Sequence, residues 1–260
     1  MNPFKQLHAG PDLLVLPNAW DAGSARVIEL AGAKAIATSS AAVSWAHGYP
    51  DGEAAPFDIL LNVVREIARV VSIPITADVE AGYAGEETVA DNVEYLIDAG
   101  VAGINIEDGT GSPEVLADKI HAIKDQHGDE IWINARTDVY LHNLAQGEAA
   151  YDEIVKRAKR YRDAGADSIF VPMCVDDATI ARFAKAIDAP LNLLAWPGLP
   201  PAARLKEIGV RRLSAGSGIA KTSLDHIYAM AGAFLADGRS EPLTQPLRIP
   251  GGLNGNMKRD

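Results

Sequence analysis

The chain has 260 residues, with 24 basic and 35 acidic side chains for a formal charge of −11. That length suits one large core, and the acidic balance disfavours a nucleic acid or an anionic membrane as partner, since either would require a basic face. One cysteine, Cys174, excludes an intrachain disulfide or a cysteine-rich zinc site, and neither Met1 to Pro11 nor any later stretch has an apolar run of signal or membrane-spanning length. The expectation is a cytoplasmic protein acting on a small molecule.

Short β-rich runs alternate with helical patterns along the chain, the mark of βα units around a parallel sheet. Eight strands are expected, at Leu13 to Pro17, Ala35 to Ser39, Ile75 to Val79, Gly103 to Glu107, Ile131 to Ala135, Ser168 to Pro172, Leu191 to Ala195 and Arg211 to Ala215. Between them, apolar residues recur at helical spacing, as in Ile59, Val63, Ile67 and Val70, or Val89, Val93, Leu96 and Ile97. Gly32, Gly100, Gly165 and Gly209 stand where helices should stop. The fold class is therefore α/β, a single-domain (β/α)8 TIM barrel over 1–260, with 240–260 read as an extended C-terminal arm lying over the barrel or a neighbouring subunit.

In such a barrel the active site lies where the strand C-termini meet the βα loops. The polar residues there are Asn18, Asp21, Thr38, Ser39, Ser40, Asp78, Glu80, Glu107, Asp108, Arg136, Asp138, Ser214 and Ser217. Strand parity points Asp78 with Glu80, and Arg136 with Asp138. An acid at a strand end can simply cap the next helix. Asp78, Glu80 and Glu107 on adjacent strands, however, repel one another unless a cation or Arg136 neutralises them, which points to a divalent metal. Oxygen ligands without imidazole or thiolate favour Mg2+, with Mn2+ as the alternative. The planar fork of Arg136 suits a substrate carboxylate or phosphonate, or else a salt bridge to Asp138 or Glu107. The Thr38-Ser39-Ser40 turn offers hydroxyls and N–H groups to a second carboxylate. Asp51, on a turn-rich loop, can fold back over the site or remain a turn residue.

Five ordered motifs carry a resemblance. They are Leu16 to Asp21 with Ala22 to Arg26, the Ser/Thr run leading to Gly48-Tyr49-Pro50-Asp51, Thr76 to Gly82, Ile106-Glu107-Asp108, and Asn134 to Asp138. Over roughly residues 12 to 220 the chain resembles the isocitrate lyase and phosphoenolpyruvate mutase superfamily. The resemblance implies a Mg2+-dependent barrel that makes or breaks C–C or P–C bonds of small 2-oxo or 2-hydroxy acids through an enolate. It implies Asp78 as the direct metal ligand, with Glu80 and Glu107 acting mainly through water. It also implies Asp51 near metal and substrate, Arg136 as the substrate arginine, Thr38 to Ser40 as the carboxylate turn, and a homotetramer that exchanges a C-terminal helix between subunits.

The departures restrict the reaction. After the fourth strand the lyases carry a Lys-Arg-Cys-Gly-His loop and the mutases a gate with lysine and asparagine; here there is only Gly109-Thr110-Gly111-Ser112-Pro113. Cys174 therefore reads as a packed thiol. Pro172-Met173 and Ala195-Trp196-Pro197 replace polar residues after the sixth and seventh strands, so Trp196 is expected to contact an apolar substrate group or plug the core. Arg136, Asp51 and Glu107 are the expected catalytic set; the hydroxyl proton of a retro-aldol step is left to Asp51, Tyr49 or a metal-bound water, with His47 as either a further acceptor or a loop histidine. The reaction expected is decarboxylation or retro-aldol cleavage of a small (di)carboxylic acid. P–C bond chemistry is the alternative within enzymes, and a non-catalytic ligand-binding barrel is the alternative outside them.

Overall fold

A computed structural model describes residues 1–86, 88–246 and 248–257. In chain order the elements are α1 (Pro3–His8), β1 (Leu14–Leu16), β2 (Asn18–Ala19), α2 (Ala22–Leu30), β3 (Ile36–Thr38), α3 (Ser40–Ala46), α4 (Phe57–Val70), β4 (Ile75–Asp78) and α5 (Val89–Asp98). There follow β5 (Val101–Glu107), α6 (Pro113–His127), β6 (Trp132–Arg136), α7 (Gly147–Asp163), β7 (Ser168–Val171) and α8 (Asp177–Ala186). The chain continues through β8 (Leu191–Leu194), α9 (Ala202–Glu207), β9 (Arg212–Ser214), α10 (Gly218–Asp237) and α11 (Gly252–Met257).

All strand pairs are parallel, in the order β1-β9-β8-β7-β6-β5-β4-β3-β2. The sheet is a (β/α)8 barrel whose first strand is split. Pro17 has no N–H to donate, so the segment breaks there: β1 pairs with β9, β2 pairs with β3, and these six residues close the barrel. The Pro17 carbonyl still accepts from Ala37 N at 3.3 Å, which keeps the seam joined.

The expected helix stops are present, and Gly32, Gly100, Gly165 and Gly209 all have φ between 92° and 112°, a region open to glycine at no steric cost. At Gly165 a side chain would also collide with Lys124, whose Cγ lies 2.8 Å from where a Cβ would stand.

Most of the core lies between barrel and helices, where Ile67, Leu96, Ile120, Ile154 and Phe183 of the helices meet Ala77, Ile104, Ile133 and Ile169 of the strands. A smaller cluster of Phe4, Leu14, Leu16, Ala35, Ala37 and Trp132 closes the end where the strands begin. Helix α1, which has no helical periodicity to announce it, supplies that plug. Phe4 reaches Gly103, where a Cβ would be only 3.2 Å from the ring, and His8 stacks on Trp132 at 4.7 Å between centroids.

The tail departs in part from the extended arm expected. Gly252–Met257 is helical and packs on α2 of its own chain, where Arg26 Nε donates to the Asn256 carbonyl at 2.9 Å. Residues 247 and 258–260 lie outside the described residues. No helix among the described residues is long and apolar enough to cross a membrane.

Candidate active site

At the C-terminal end of the barrel lies a cleft of about 120 Å³, lined on its polar side by Ser39, Ser40, Asp51, Asp78, Asn105 and Arg136. Leu141, Phe170, Pro172 and Leu194 form the opposite, apolar wall. The polar side comes from the ends of β3 to β6 and the loop after α3, and the apolar side from β7, β8 and the loop after β6, while Asn18, Ser214, Gly216 and Ser217 also line it.

Asp78 ends β4 at the base of the cleft. Its backbone N–H donates to Thr38 Oγ1 at 2.8 Å, and its Oδ2 accepts from both the N–H and the hydroxyl of Ser40, each at 3.0 Å. Its Oδ1 is buried with no partner. A buried carboxylate oxygen without a donor is costly unless a cation sits against it, so this orphan fits a divalent ion. The Ser/Thr turn is in consequence committed to Asp78: the Ser40 N–H serves the protein's own carboxylate, and Thr38 is fully buried beneath it rather than lining the cleft. Ser39 faces the cleft and caps α3, its hydroxyl accepting from Ala42 N at 3.4 Å.

Glu80 sits at φ 50° just past β4. Both its oxygens are taken, one by the Glu53 N–H and the other by the Tyr83 hydroxyl at 2.9 Å. Burial, with the nearby Asp78 and Asp51 charges, holds its carboxyl above the usual range, although the two hydrogen bonds work against that shift. Glu107, at the end of β5, pairs with Arg136; burial pushes its carboxyl up, with Asp78, Asp138 and Glu80 adding to the shift and the Arg136 charge opposing it. Among the described residues no three Asp, Glu, His or Cys side chains converge closely enough to coordinate one ion directly. The proposed metal set of Asp78, Glu80 and Glu107 is therefore not a closed cage. Asp78 alone of the three offers a buried oxygen without a partner, and the others stand back behind protein donors.

Arg136 ends β6, directly beside Glu107 in the sheet register. Its Nε and Nη2 grip Asp138 at 2.6 and 3.1 Å and its Nη1 meets Glu107, so it makes both salt bridges that its position suggested. Burial disfavours its charge, but Glu107, Asp138 and Asp78 more than offset this and keep the guanidinium protonated. A guanidinium has five N–H groups, and this pattern leaves two for the cleft that Arg136 lines.

The loop after α3 brings Asp51 into the cleft, against Ser40 and across from Asp78 and Arg136. Burial, reinforced by the Asp78 charge, holds the Asp51 carboxyl above the usual carboxylate range.

Three other sequence candidates lie elsewhere. Trp196 is neither in the cleft nor in the core: it is 46% exposed, because the chain turns away after β8 through Pro197 and Gly198, with Leu199 N donating to the Trp196 carbonyl at 3.0 Å. Asp108 points behind the site, where it accepts from Asp138 N at 2.8 Å, Arg157 Nη1 at 2.9 Å and the Tyr161 hydroxyl at 2.5 Å. Cys174 is buried, and burial pushes its thiol up to about 12, which leaves it inert as a nucleophile. The run Gly109 to Ser112 is a tight turn, with Gly111 N donating to the Asp108 carbonyl at 2.8 Å before Ser112 caps α6.

Tyr83, Asn105 and Asn134 join the site without having been among the expected residues. The parity that singled out Arg136 and Glu107 marks Asn134 and Asn105 two residues earlier on the same strands. Tyr83 had no comparable signal, since its φ of 55° and its reach to Glu80 depend on the turn.

With this geometry in hand, the relatives are consistent. A sequence model of the phosphoenolpyruvate phosphomutase family matches residues 4–235. A Mycobacterium tuberculosis protein of uncharacterised activity is 38% identical over 248 residues, covering 94% of this chain and 92% of its own. The 2-methylisocitrate lyase of Aeropyrum pernix is 31% identical over 201 residues, covering 72% of this chain and 63% of that enzyme. Among solved structures, a proposed phosphonomutase from Burkholderia cenocepacia J2315 is 37% identical with a TM-score of 0.83, over 88% of this chain and 97% of its own. The chain belongs to the phosphoenolpyruvate phosphomutase family, in the superfamily that also holds the 2-methylisocitrate lyases.

Proposed function

We propose that this chain is a Mg2+-dependent lyase that cleaves a C–C bond in a small 2-oxo or 2-hydroxy (di)carboxylic acid. The observation that carries the reading is the orphaned Asp78 Oδ1 at the base of a cleft whose other polar wall is a twice-paired arginine. Asp78 would hold the ion directly, and Glu80 and Glu107 would reach it through water. Bound there, Mg2+ supplies positive charge to an oxygen that becomes negative as a C–C bond breaks.

The chain's own groups provide the rest. Arg136 presents its two remaining N–H groups to a substrate carboxylate, while Asp138 and Glu107 fix its plane. Asp51 is the cleft's proton acceptor, since it lines the cleft across from Arg136 and its carboxyl is held above the usual carboxylate range. In retro-aldol cleavage Asp51 takes the hydroxyl proton, the C–O bond becomes a carbonyl, the C–C bond breaks, and its electron pair passes to the departing enolate. Decarboxylation of a 2-oxo diacid needs no such acceptor. The short turn at Gly109 to Ser112 brings neither cysteine nor lysine to the cleft, which favours reactions whose leaving enolate takes its proton from water.

The Burkholderia relative keeps P–C chemistry as a second reading. The active unit we propose is a cytoplasmic homotetramer; its contact between copies is supported by α10, which leaves Ile227, Tyr228 and Leu235 at 61, 81 and 83% exposure, an apolar face suited to a helix of a second copy. Titration of oxalate, a mimic of the pyruvate enolate, tests the site: binding should require Mg2+ and disappear in Asp78→Ala. Equal binding in EDTA contradicts the metal's role.

A further inference from the structure

Beneath the cleft a chain of buried polar side chains crosses the barrel interior. Trp132 Nε1 donates to Ser168 Oγ at 2.9 Å, Ser168 Oγ donates to Asn134 Oδ1 at 2.7 Å, and Asn134 Nδ2 donates to Asn105 Oδ1 at 2.7 Å. From the other side Arg212 Nη2 donates to the same Asn105 Oδ1 at 3.1 Å. The sheet register makes this possible, since Asn105, Asn134 and Ser168 stand abreast on β5, β6 and β7.

The direction of every bond is fixed by the two ends. An indole N–H and a guanidinium can only donate. Trp132 therefore makes Ser168 the acceptor and turns its hydroxyl proton toward Asn134, whose amide nitrogen must then face Asn105. Arg212 sets the same orientation independently. Asn105 cannot flip its amide without placing its NH2 against two donors, an arrangement that leaves buried groups unpaired.

The consequence is at the free end. Asn105 is only 5% exposed, its Nδ2 has no protein acceptor among the described residues, and the residue lines the inner end of the cleft beside Asp78 in the register. We infer that Asn105 is a substrate-binding and specificity-determining residue whose Nδ2 donates to an oxygen of the substrate's carboxylate or 2-oxo group, with Arg212, Asn134, Ser168 and Trp132 locking that amide in the donor orientation. The inference rests on the carboxylate-cleft reading above and deepens it. A locked donor accepts a 2-oxo acid or an unprotonated oxygen and rejects an ammonium group at the same place, so 2-amino acids are excluded.

The test separates metal from substrate. Mn2+ binding is measured by electron paramagnetic resonance, and oxalate binding by calorimetry with and without Mn2+, in wild type, Asn105→Asp and Asn105→Ala, each checked by thermal melting. Asn105→Asp turns the donor into an acceptor of the same shape, and Asn105→Ala removes it without a new charge, so either folded variant carries the result. In Asn105→Ala, Mn2+ affinity should stay within about two-fold while oxalate affinity falls about ten-fold or more, the loss expected for a hydrogen bond to a charged group; in Asn105→Asp, whose new carboxylate stands beside Asp78, oxalate affinity without metal should fall at least as far. Oxalate affinity in folded Asn105→Ala within about two-fold of wild type overturns the inference, with or without metal, as does a wild type that binds no oxalate. A wild type that binds oxalate but no Mn2+ overturns the metal reading alone, and the Asn105 comparison then stands on the metal-free titrations.

Discussion

Arg136 and Asp138 form a two-pronged pair, Nε to Oδ1 at 2.6 Å and Nη2 to Oδ2 at 3.1 Å, with both partners two residues apart at the end of one strand. The pair fixes the plane of the guanidinium before any ligand arrives, while Asp108 holds Asp138 in turn through its backbone N–H at 2.8 Å. A lysine keeps the charge and loses the fork. Arg136→Lys should therefore lower kcat/KM by about a hundred-fold or more in a protein that still folds, with a lowered thermal midpoint from the half-unpaired Asp138 and Glu107, as steady-state kinetics and melting of the same sample will show.

Asp78 contributes one oxygen to Ser40 and leaves the other buried and bare. Asp78→Asn preserves shape and the Ser40 contact but halves the acceptor capacity and removes the charge. Mn2+ affinity, read by electron paramagnetic resonance, should fall by more than the roughly hundred-fold that losing an outer hydrogen-bond partner of a metal ligand can cost. An unchanged affinity would place the ion elsewhere.

His8 ties acid stability to the plug at the bottom of the barrel. Burial, with the Arg212 charge adding to it and the Phe4 carbonyl opposing, lowers its ring from 6.5 to about 4. A depressed histidine contributes stability that is complete above 6.5 and is lost as the pH falls from there toward 4, because only the unfolded chain takes up the proton readily. Unfolding free energy should drop by roughly 3 kcal/mol across that window in urea titrations, and His8→Phe should flatten that part of the profile.

Phe4 is fully buried against Gly103 and Trp132. Phe4→Ala should cost about 3 to 5 kcal/mol in denaturant unfolding. A loss below about 1 kcal/mol would mean that α1 is not part of the cooperative unit.

Helix α10 exposes Tyr228 and Leu235 almost completely. If a second copy covers them, the double change Tyr228→Glu and Leu235→Glu should shift the light-scattering mass from tetramer to a smaller species. A tetramer that survives both changes would rule out this face as the contact.

The barrel was legible because its signals are local: apolar runs at strand spacing, helical periodicity, and glycines such as Gly100 and Gly165 that end helices. Asp78 and Arg136 could be found because strand ends face the active side of such a barrel. What escaped was set by tertiary contact. Helix α1 has only a local start, Asn2 capping before Pro3, and is held in place by Phe4 buried at the strand ends, while the split of the first strand shows only in its two pairings, Leu14–Leu16 with β9 and Asn18–Ala19 with β3. Thr38 and Ser40 were expected to hold a ligand, but Thr38 Oγ1 accepts from the Asp78 N–H and Ser40 donates to the Asp78 carboxylate. Trp196 was assigned by its place after a strand, and the turn at Pro197-Gly198 carries it outward. Asn105 and Asn134 stood in plain view on quoted strands, yet their meaning lies in two donor-only groups, Trp132 and Arg212, contributed by β6 and β9.

The most direct test of the account is turnover by the whole protein on a panel of 2-hydroxy diacids, 2-oxo diacids and phosphonopyruvate, with Mg2+ and with EDTA, following 2-oxo acid, CO2 and phosphate release together. The site predicts Mg2+-dependent release of a 2-oxo acid or CO2 from a carboxylic substrate, abolished in Asp78→Asn. Phosphate release from phosphonopyruvate alone, or turnover undiminished in EDTA, would contradict it.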